Sequence, residues 1–144
     1  MHIGSLGITD RIKPPKVSTT TTSAKFRSEF VDRLLQPAHC AITGPELDRP
    51  ANLFVTEGEF VSPAVHDAIE TIEYDAPTPA GRSKYALRIV HATTPISMDK
   101  YRYHYLFGWD VKLPSEAIAA MQAGIETAFT GDKVILRAIS KSLR

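Results

Sequence analysis

Hydrophobic and polar positions alternate most regularly in the segment 101–111 (YRYHYLFGWDV). Successive side chains of a β-strand point to opposite faces, so this alternation predicts a strand with one aromatic face. That face carries Tyr101, Tyr103, Tyr105, Phe107 and Trp109, and the other face carries Arg102, His104, Leu106 and Gly108. The preceding segment 84–93 (KYALRIVHAT) predicts another strand. The five aromatic residues either line a cavity or belong to an ordinary core.

The apolar period changes from two residues to a helical one after Pro114. The sequence Pro114-Ser115-Glu116 predicts the start of a long helix with Ser115 as its N-cap, and the pattern continues to about residue 140. Its inward face would carry Ile118, Met121, Ile125 and Phe129. Gly124 and Gly131 weaken this helix, each by about 1 kcal/mol relative to alanine.

One charged residue, Asp132, falls inside the apolar stripe of this helix. Its neighbours one and two turns away are Ile125, Ala128, Phe129, Ile135, Leu136 and Ile139. A carboxylate in such surroundings needs an ion pair, hydrogen bonds or a metal. Alternatively, Gly131 ends one helix and Asp132 caps a second one that starts at Lys133.

The first half of the chain gives weaker signals. Residues 17–23 predict a strand, and residues 26–35 predict a helix that Pro37 ends. Residues 52–61 predict two strands joined by a turn at Glu57-Gly58, whereas 66–74 suit a helix or a strand equally. Residues 76–82 (APTPAGR) predict a turn or hairpin loop.

These elements together predict an α+β fold in which a curved antiparallel sheet wraps around a long C-terminal helix. Such a shape readily encloses an apolar cavity. We interpret residues 17–144 as a single domain, and residues 1–16 as an N-terminal loop or the remnant of an element that began further upstream.

Charge balance, cysteine count and apolar runs exclude several kinds of partner and binding site. The balance of 17 basic and 16 acidic residues gives no electrostatic reason to expect nucleic acid or an anionic membrane as a partner. The single cysteine, Cys40, excludes an internal disulfide, an all-cysteine zinc site and a cysteine-ligated iron–sulfur cluster within this chain. The sequence contains neither an apolar run of about 20 residues nor a signal peptide. We therefore expect a cytoplasmic protein.

Three features occur in a characteristic order: His91-Ala92-Thr93-Thr94-Pro95, the aromatic segment 103–107 (YHYLF), and the helical segment 129–135 (FTGDKVI). In this order they resemble the C-terminal catalytic domain of Rieske non-haem iron oxygenases, in the branch that contains vanillate and dicamba O-demethylases. The resemblance covers about residues 50–140. It implies a helix-grip fold, like that of START and Bet v 1 domains.

The resemblance implies that Asp132 is the catalytic carboxylate ligand of Fe(II), in a facial triad with two histidines. The family carries those histidines in a His-x-x-x-x-His motif. In this sequence His2 stands at the first histidine position and Gly7 at the second, and glycine offers no side-chain ligand. The resemblance also implies a substrate pocket lined by His91, His104, Tyr105, Phe107 and Phe129.

The family places a Rieske domain with a [2Fe–2S] cluster before this region, and the chain has no such segment. We therefore expect a truncated relative, a fragment or a subunit that takes electrons from a ferredoxin or a Rieske-domain donor. An isolated remnant would expose sheet edges and cavity wall that the missing part of the domain normally covers. We therefore also expect homo- or hetero-oligomers.

Two functions remain open from the sequence. One is the catalytic portion of an oxygenase that hydroxylates or oxidatively O- or N-demethylates an aromatic or other apolar substrate. The other is a metal-free helix-grip module that binds an apolar ligand or serves as an accessory subunit.

Other candidate chemistry is weaker. Adjacent His39 and Cys40 could pair as base and thiol nucleophile, but neighbours on an extended chain point in opposite directions. Six carboxylates alternate with apolar residues as on a solvated strand face: Glu57, Glu59, Asp67, Glu70, Glu73 and Asp75.

Overall fold

A computed structural model of the chain describes residues 14–35, 37–44, 49–62, 64–98 and 100–142. Within these ranges lie the strands β1 (Lys16–Thr19), β2 (Ala24–Arg33), β3 (Ala51–Ser62), β4 (Val65–Glu73), β5 (Lys84–Ser97) and β6 (Lys100–Trp109). The helices are α1 (Pro37–Thr43), between β2 and β3, and α2 (Ser115–Ser142), after β6. All neighbouring strands pair antiparallel, in the order β1-β2-β3-β4-β5-β6. The predicted α+β class is confirmed, and the curved sheet with its C-terminal helix is compatible with a helix-grip fold.

One face of the sheet, here called the inner face, packs against both helices. It carries Phe54, Ile72 and Tyr85, each no more than 2% exposed. Helix α2 adds buried Met121 to this core, while Ile118, Ile125 and Phe129 are half-buried. The predicted inward face of α2 is therefore confirmed for these four residues.

The predicted helix at residues 26–35 is wrong, because this segment forms strand β2 between β1 and β3. Phe26 and Phe30 are four residues apart, a spacing that keeps two side chains on one face of a helix and of a strand alike. Because the segment pairs with β1 on one side and β3 on the other, it forms a strand. Pro37 begins α1 rather than ending a helix, as suits a residue without a backbone N–H.

The predicted turn at Glu57-Gly58 is also wrong, since β3 continues through both residues. Gly58 pairs in register with Phe26 of β2, whose ring lies over it. A Cβ built on Gly58 would lie 2.5 Å from Cε1 of Phe26, so glycine is needed there to admit the ring.

The remaining elements follow the sequence more closely. The ambiguous segment 66–74 belongs mainly to β4, and β5 extends to Ser97, four residues beyond its predicted end. The loop predicted at 76–82 is confirmed by a tight turn in which the Gly81 N–H donates to the Thr78 carbonyl at 2.7 Å. Gly81 has a φ of +83°, which glycine adopts at little steric cost.

Helix α2 runs without interruption through Gly131 and Asp132. The alternative in which Asp132 caps a second helix is therefore wrong. At the other end, the Ile118 N–H donates to the Pro114 carbonyl at 3.2 Å, so the helix starts within one residue of the predicted N-cap. None of the helices in the described ranges is both long and apolar enough to cross a bilayer.

The opposite, outer face of the sheet carries ion pairs between neighbouring strands. Its pairs include Lys25–Glu59, Arg27–Glu57, Asp67–Arg88 and Glu73–Lys84. Four of the six carboxylates expected on a solvated face thus lie there. Glu70 does not, because strand alternation turns it to the inner face, where it meets α1.

Candidate functional site

A row of aromatic rings crosses the inner face from β3 to β6. The strand register pairs Phe60 with His66, His66 with His91, and His91 with Tyr105. The Phe60 and His66 rings stack with centroids 4.4 Å apart and planes at 14°. The His66 and His91 rings stack at 5.4 Å and 8°. Three nearly parallel, neighbouring rings therefore span β3, β4 and β5.

Helix α2 closes over this row through Phe129. The Phe129 ring lies 5.0 Å from the Tyr103 ring, 5.0 Å from the Tyr105 ring and 6.3 Å from the His91 ring, measured between centroids. Phe107 joins them, at 5.8 Å from Tyr105 and 6.4 Å from His91. Two strands and the helix thus contribute to one aromatic cluster, with edge-on and tilted ring contacts.

A cavity of about 280 Å³, here called the aromatic pocket, opens beside the stacked rings. It is lined by Phe60, Ala64, Val65, His66, His91, Thr93 and Tyr103. Several of these side chains are incompletely covered, with Phe60 49% and Tyr103 37% exposed. An apolar cavity with a few convergent polar groups is the usual form of a small-molecule site.

The two histidines of the pocket favour their neutral forms. Burial lowers the pKa of His66 below its ordinary value of 6.5, and the nearby Asp67 carboxylate opposes this only in part. Burial also lowers the pKa of His91, and His66 lowers it further. The Tyr103 hydroxyl is hydrogen-bonded to Nδ1 of His91. Near neutral pH the pocket therefore presents two uncharged imidazoles, each able to donate and to accept.

Four of the five predicted substrate residues lie together: His91, Tyr105, Phe107 and Phe129. The fifth, His104, pairs with Ala92 in register and lies exposed on the outer face, away from the cluster. The alternation already visible at Tyr103-His104-Tyr105 separates it from its neighbours.

Of the seven residues that line the pocket, only His91 was among the predicted site residues; the six others include His66 and Tyr103. Tyr103 was detectable, because it shares the predicted face of Tyr105 and Phe107. His66 was not, because its segment suited a helix as well as a strand, and only the pairing of β4 with β5 brings it opposite His91.

The side chains of the predicted metal ligands are not among those that the structure describes. His2 and Gly7 fall in residues 1–13, and of Asp132 only its place in α2 is described, three residues after Phe129. Among the described residues no group of three or more His, Cys, Asp or Glu side chains could hold a metal ion. The described side chains thus offer no fit for iron, and the assignment of His2 and Asp132 stays a prediction.

A second polar group lies on the inner face beneath α1. Nε2 of His39 is 2.8 Å from Oε2 of Glu70, and the two side chains are only 10% and 16% exposed. The Arg33 guanidinium stacks over Phe30 and Phe54, 4.6 and 4.4 Å from the ring centroids. Burial lowers the pKa of Arg33, while the Glu70 charge opposes that shift. This group holds α1 against the sheet.

The structure of α1 also contradicts the hypothesis that His39 and Cys40 act as base and thiol nucleophile. His39 and Cys40 lie on α1 rather than on an extended chain, and the His39 imidazole is engaged by Glu70. Cys40 is 4% exposed and burial raises the pKa of its thiol. Because the thiolate is the nucleophile, a buried thiol with a raised pKa is poorly reactive at neutral pH.

Comparison with known proteins adds one finding. The family model of the vanillate O-demethylase oxygenase C-terminal domain matches residues 1–144. No curated protein and no solved structure matches the chain. The family match agrees with the resemblance found in the motifs around His91, Tyr105 and Asp132.

Proposed function

The chain belongs to the vanillate O-demethylase oxygenase C-terminal domain family, and from this membership we propose that its aromatic pocket binds the substrate of an oxygenase catalytic domain. The observation that carries the proposal is the convergence of Phe129 from α2 with His91 and Tyr105 beside a cavity. Strands β5 and β6 and helix α2 are the elements whose motifs resemble the family, and they meet at this one place.

The walls of the pocket favour an aromatic or other apolar substrate. A volume of about 280 Å³ lies near the lower end of the range for small-molecule sites, which suits a single substituted ring. Phe60 and Val65 offer apolar surface, while His91, held by Tyr103, offers one polar contact that orients the ring. The reaction we propose is hydroxylation or oxidative O- or N-demethylation of such a substrate.

We assign the iron of this reaction to His2, Asp132 and a third ligand, on the resemblance alone. Fe(II) held there with open coordination positions would supply the activation of O₂. Electrons would come from a ferredoxin or a Rieske-domain donor, and the complex with that donor or with further copies of the chain is part of the proposal. No step of the reaction is assigned to the described side chains beyond binding and orienting the substrate.

The iron assignment is tested by anaerobic loading with Fe(II), followed by removal of loose metal and metal analysis. We expect about one iron per chain for the unmodified protein and a loss of most of it in Asp132→Ala, because a facial triad has few ligands to spare. Glu126→Ala, on the same helix, is the matched control and should retain the metal. Binding of less than about a tenth of an iron per chain would contradict the assignment.

A metal-free ligand-binding module is the second candidate function, and Gly7 favours it, since glycine stands where the family has a histidine ligand. In that case an aromatic ligand should raise the melting temperature of iron-free protein, while Fe(II) should not. Gly7→His discriminates between the two candidates: a marked gain in iron affinity would show that a ligand position is vacant.

A further inference from the structure

His66 has a role in the pocket that neither the sequence motifs nor the family match assigns. It is the central ring of the stack, between Phe60 at 4.4 Å and His91 at 5.4 Å. It also lines the aromatic pocket. Phenylalanine at this position would stack as well as histidine. Stacking alone therefore does not explain why this ring carries nitrogens.

Nε2 of His66 is such a nitrogen. It is shielded from water and has no hydrogen-bond partner among the described residues. A buried polar atom without a partner costs about 1–3 kcal/mol, and native structures contain few of them. Because neighbouring rings cover both faces of the imidazole, any partner must approach the ring edge.

His91, the neighbouring imidazole, differs in this respect. Its Nδ1 is already hydrogen-bonded to the Tyr103 hydroxyl, which fixes the orientation of the ring. When that hydroxyl donates, the His91 proton resides on Nε2, so His91 presents an N–H donor. The two stacked imidazoles therefore offer hydrogen bonds from nearly parallel planes, 8° apart, on one wall of the pocket.

We propose that His66 is a specificity-determining residue whose Nε2, once the side chains that shield it move aside, hydrogen-bonds an oxygen carried by an aromatic ligand, a hydroxyl or a carboxyl group, in the aromatic pocket. The inference rests on the proposed function, since it takes the pocket to be the substrate site. What it adds is the residue that recognises such an oxygen, which lies on β4 rather than on the motif strands β5 and β6.

The test uses three probes of similar shape with the full-length, iron-free protein at pH 7.5: 4-methylphenol, 4-methylbenzoate and p-xylene. Nuclear magnetic resonance of the ¹⁵N-labelled imidazoles reports binding at His66 directly. We expect 4-methylphenol or 4-methylbenzoate to shift the His66 Nε2 resonance and to bind about tenfold more tightly than p-xylene, as one hydrogen bond implies. The preferred probe distinguishes a hydroxyl from a carboxyl group.

His66→Phe keeps an aromatic ring in the stack and removes the nitrogen, so the preference for the oxygen-bearing probe should fall severalfold. His104→Phe, on the outer face, is the matched control and should leave the preference unchanged. If His66→Phe does not fold, the resonance shift in the unmodified protein still decides the question.

The failures of the two proposals are distinguishable. Equal binding of all three probes, without a shift at His66, overturns the role of His66 but keeps the pocket as an aromatic site. Absence of binding for all three probes overturns both. Neither result depends on iron, which the metal analysis tests separately.

Discussion

The inner face of the sheet has two ends that the same strands build differently. At the end under α1, Phe54 of β3, Ile72 of β4 and Tyr85 of β5 are almost completely buried. At the other end the same three strands carry Phe60, His66 and His91, which remain partly open to a cavity. The first end resembles the core of any small domain. The second retains polar rings and unfilled volume, which a core designed only for stability would exclude.

The difference follows from which helix covers each end. Helix α1 fills the first end with Cys40 and Ile42, which are 4% and 2% exposed. The second end has only α2, which reaches it through Phe129. A long helix crossing a curved sheet cannot contact all of it closely, so one end of the inner face stays open at the aromatic pocket. Under the proposed function, stability and binding belong to separate ends of one surface.

The strongest test of the difference between the two ends is to truncate one phenylalanine at each end of β3. Phe54→Ala should lower the free energy of unfolding by about 3–5 kcal/mol, because it opens a cavity among fully buried neighbours. Phe60→Ala should cost about 1–2 kcal/mol, because half of that side chain is already exposed. Urea denaturation measures both. Equal losses would show that the pocket end is as much a part of the core as the α1 end.

A second test concerns the buried contact between His39 and Glu70 under α1. Glu70→Ala should lower the free energy of unfolding by about 2–3 kcal/mol, because it leaves His39 and Arg33 without their carboxylate in a poorly solvated place. Glu73→Ala, on the same strand but in the outer-face pair with Lys84, is the matched control and should have a much smaller effect. If both variants lose the same stability, the inner pair does not fasten α1.

The third test concerns Gly58 of β3, which lies beneath the Phe26 ring. Gly58→Ala should destabilise the protein by about 1–3 kcal/mol, because the new Cβ would overlap the Phe26 ring. Gly108→Ala is the matched control, also within a strand but with open space at the Cβ position, and should be close to neutral. Combining Gly58→Ala with Phe26→Leu should recover part of the loss. A harmless Gly58→Ala would mean that Phe26 does not need its position over β3.

These contacts also separate what the sequence can predict from what it cannot. The regular alternation around Tyr105 and the helical period from Ile118 to Phe129 gave β6 and α2 correctly, since each depends on local periodicity. The helix assigned to residues 26–35 failed because a spacing of four residues fits both periods. The register of three paired strands, which local pattern does not encode, decides that segment.

The candidate site divides in the same way. His91, Tyr105 and Phe129 were found from motifs, and they do lie together. The pair of His39 with Glu70 joins residues 31 positions apart, and Glu70 looked like one more solvated carboxylate. His66 gained its meaning only from lying opposite His91. Pairings between distant segments carry no local signal, so residues that act through them escape sequence reasoning.

The smallest expected effect is the pH dependence of the pocket end. Burial holds the pKa values of His66 and His91 below 6.5, so the unfolded chain binds protons more readily than the folded one as the pH falls through 6.5. Stability from these groups is therefore present above pH 6.5 and declines below it. The lowered pKa of Asp67 does not contribute, because its stabilisation is lost only below 3.8. Urea denaturation at pH 7.5 and pH 5.0 should show a decline that is reduced in His66→Phe and unchanged in His104→Phe. An undiminished decline in His66→Phe would mean that the stacked imidazoles are not desolvated, and the contrast between the two ends would lose its electrostatic part.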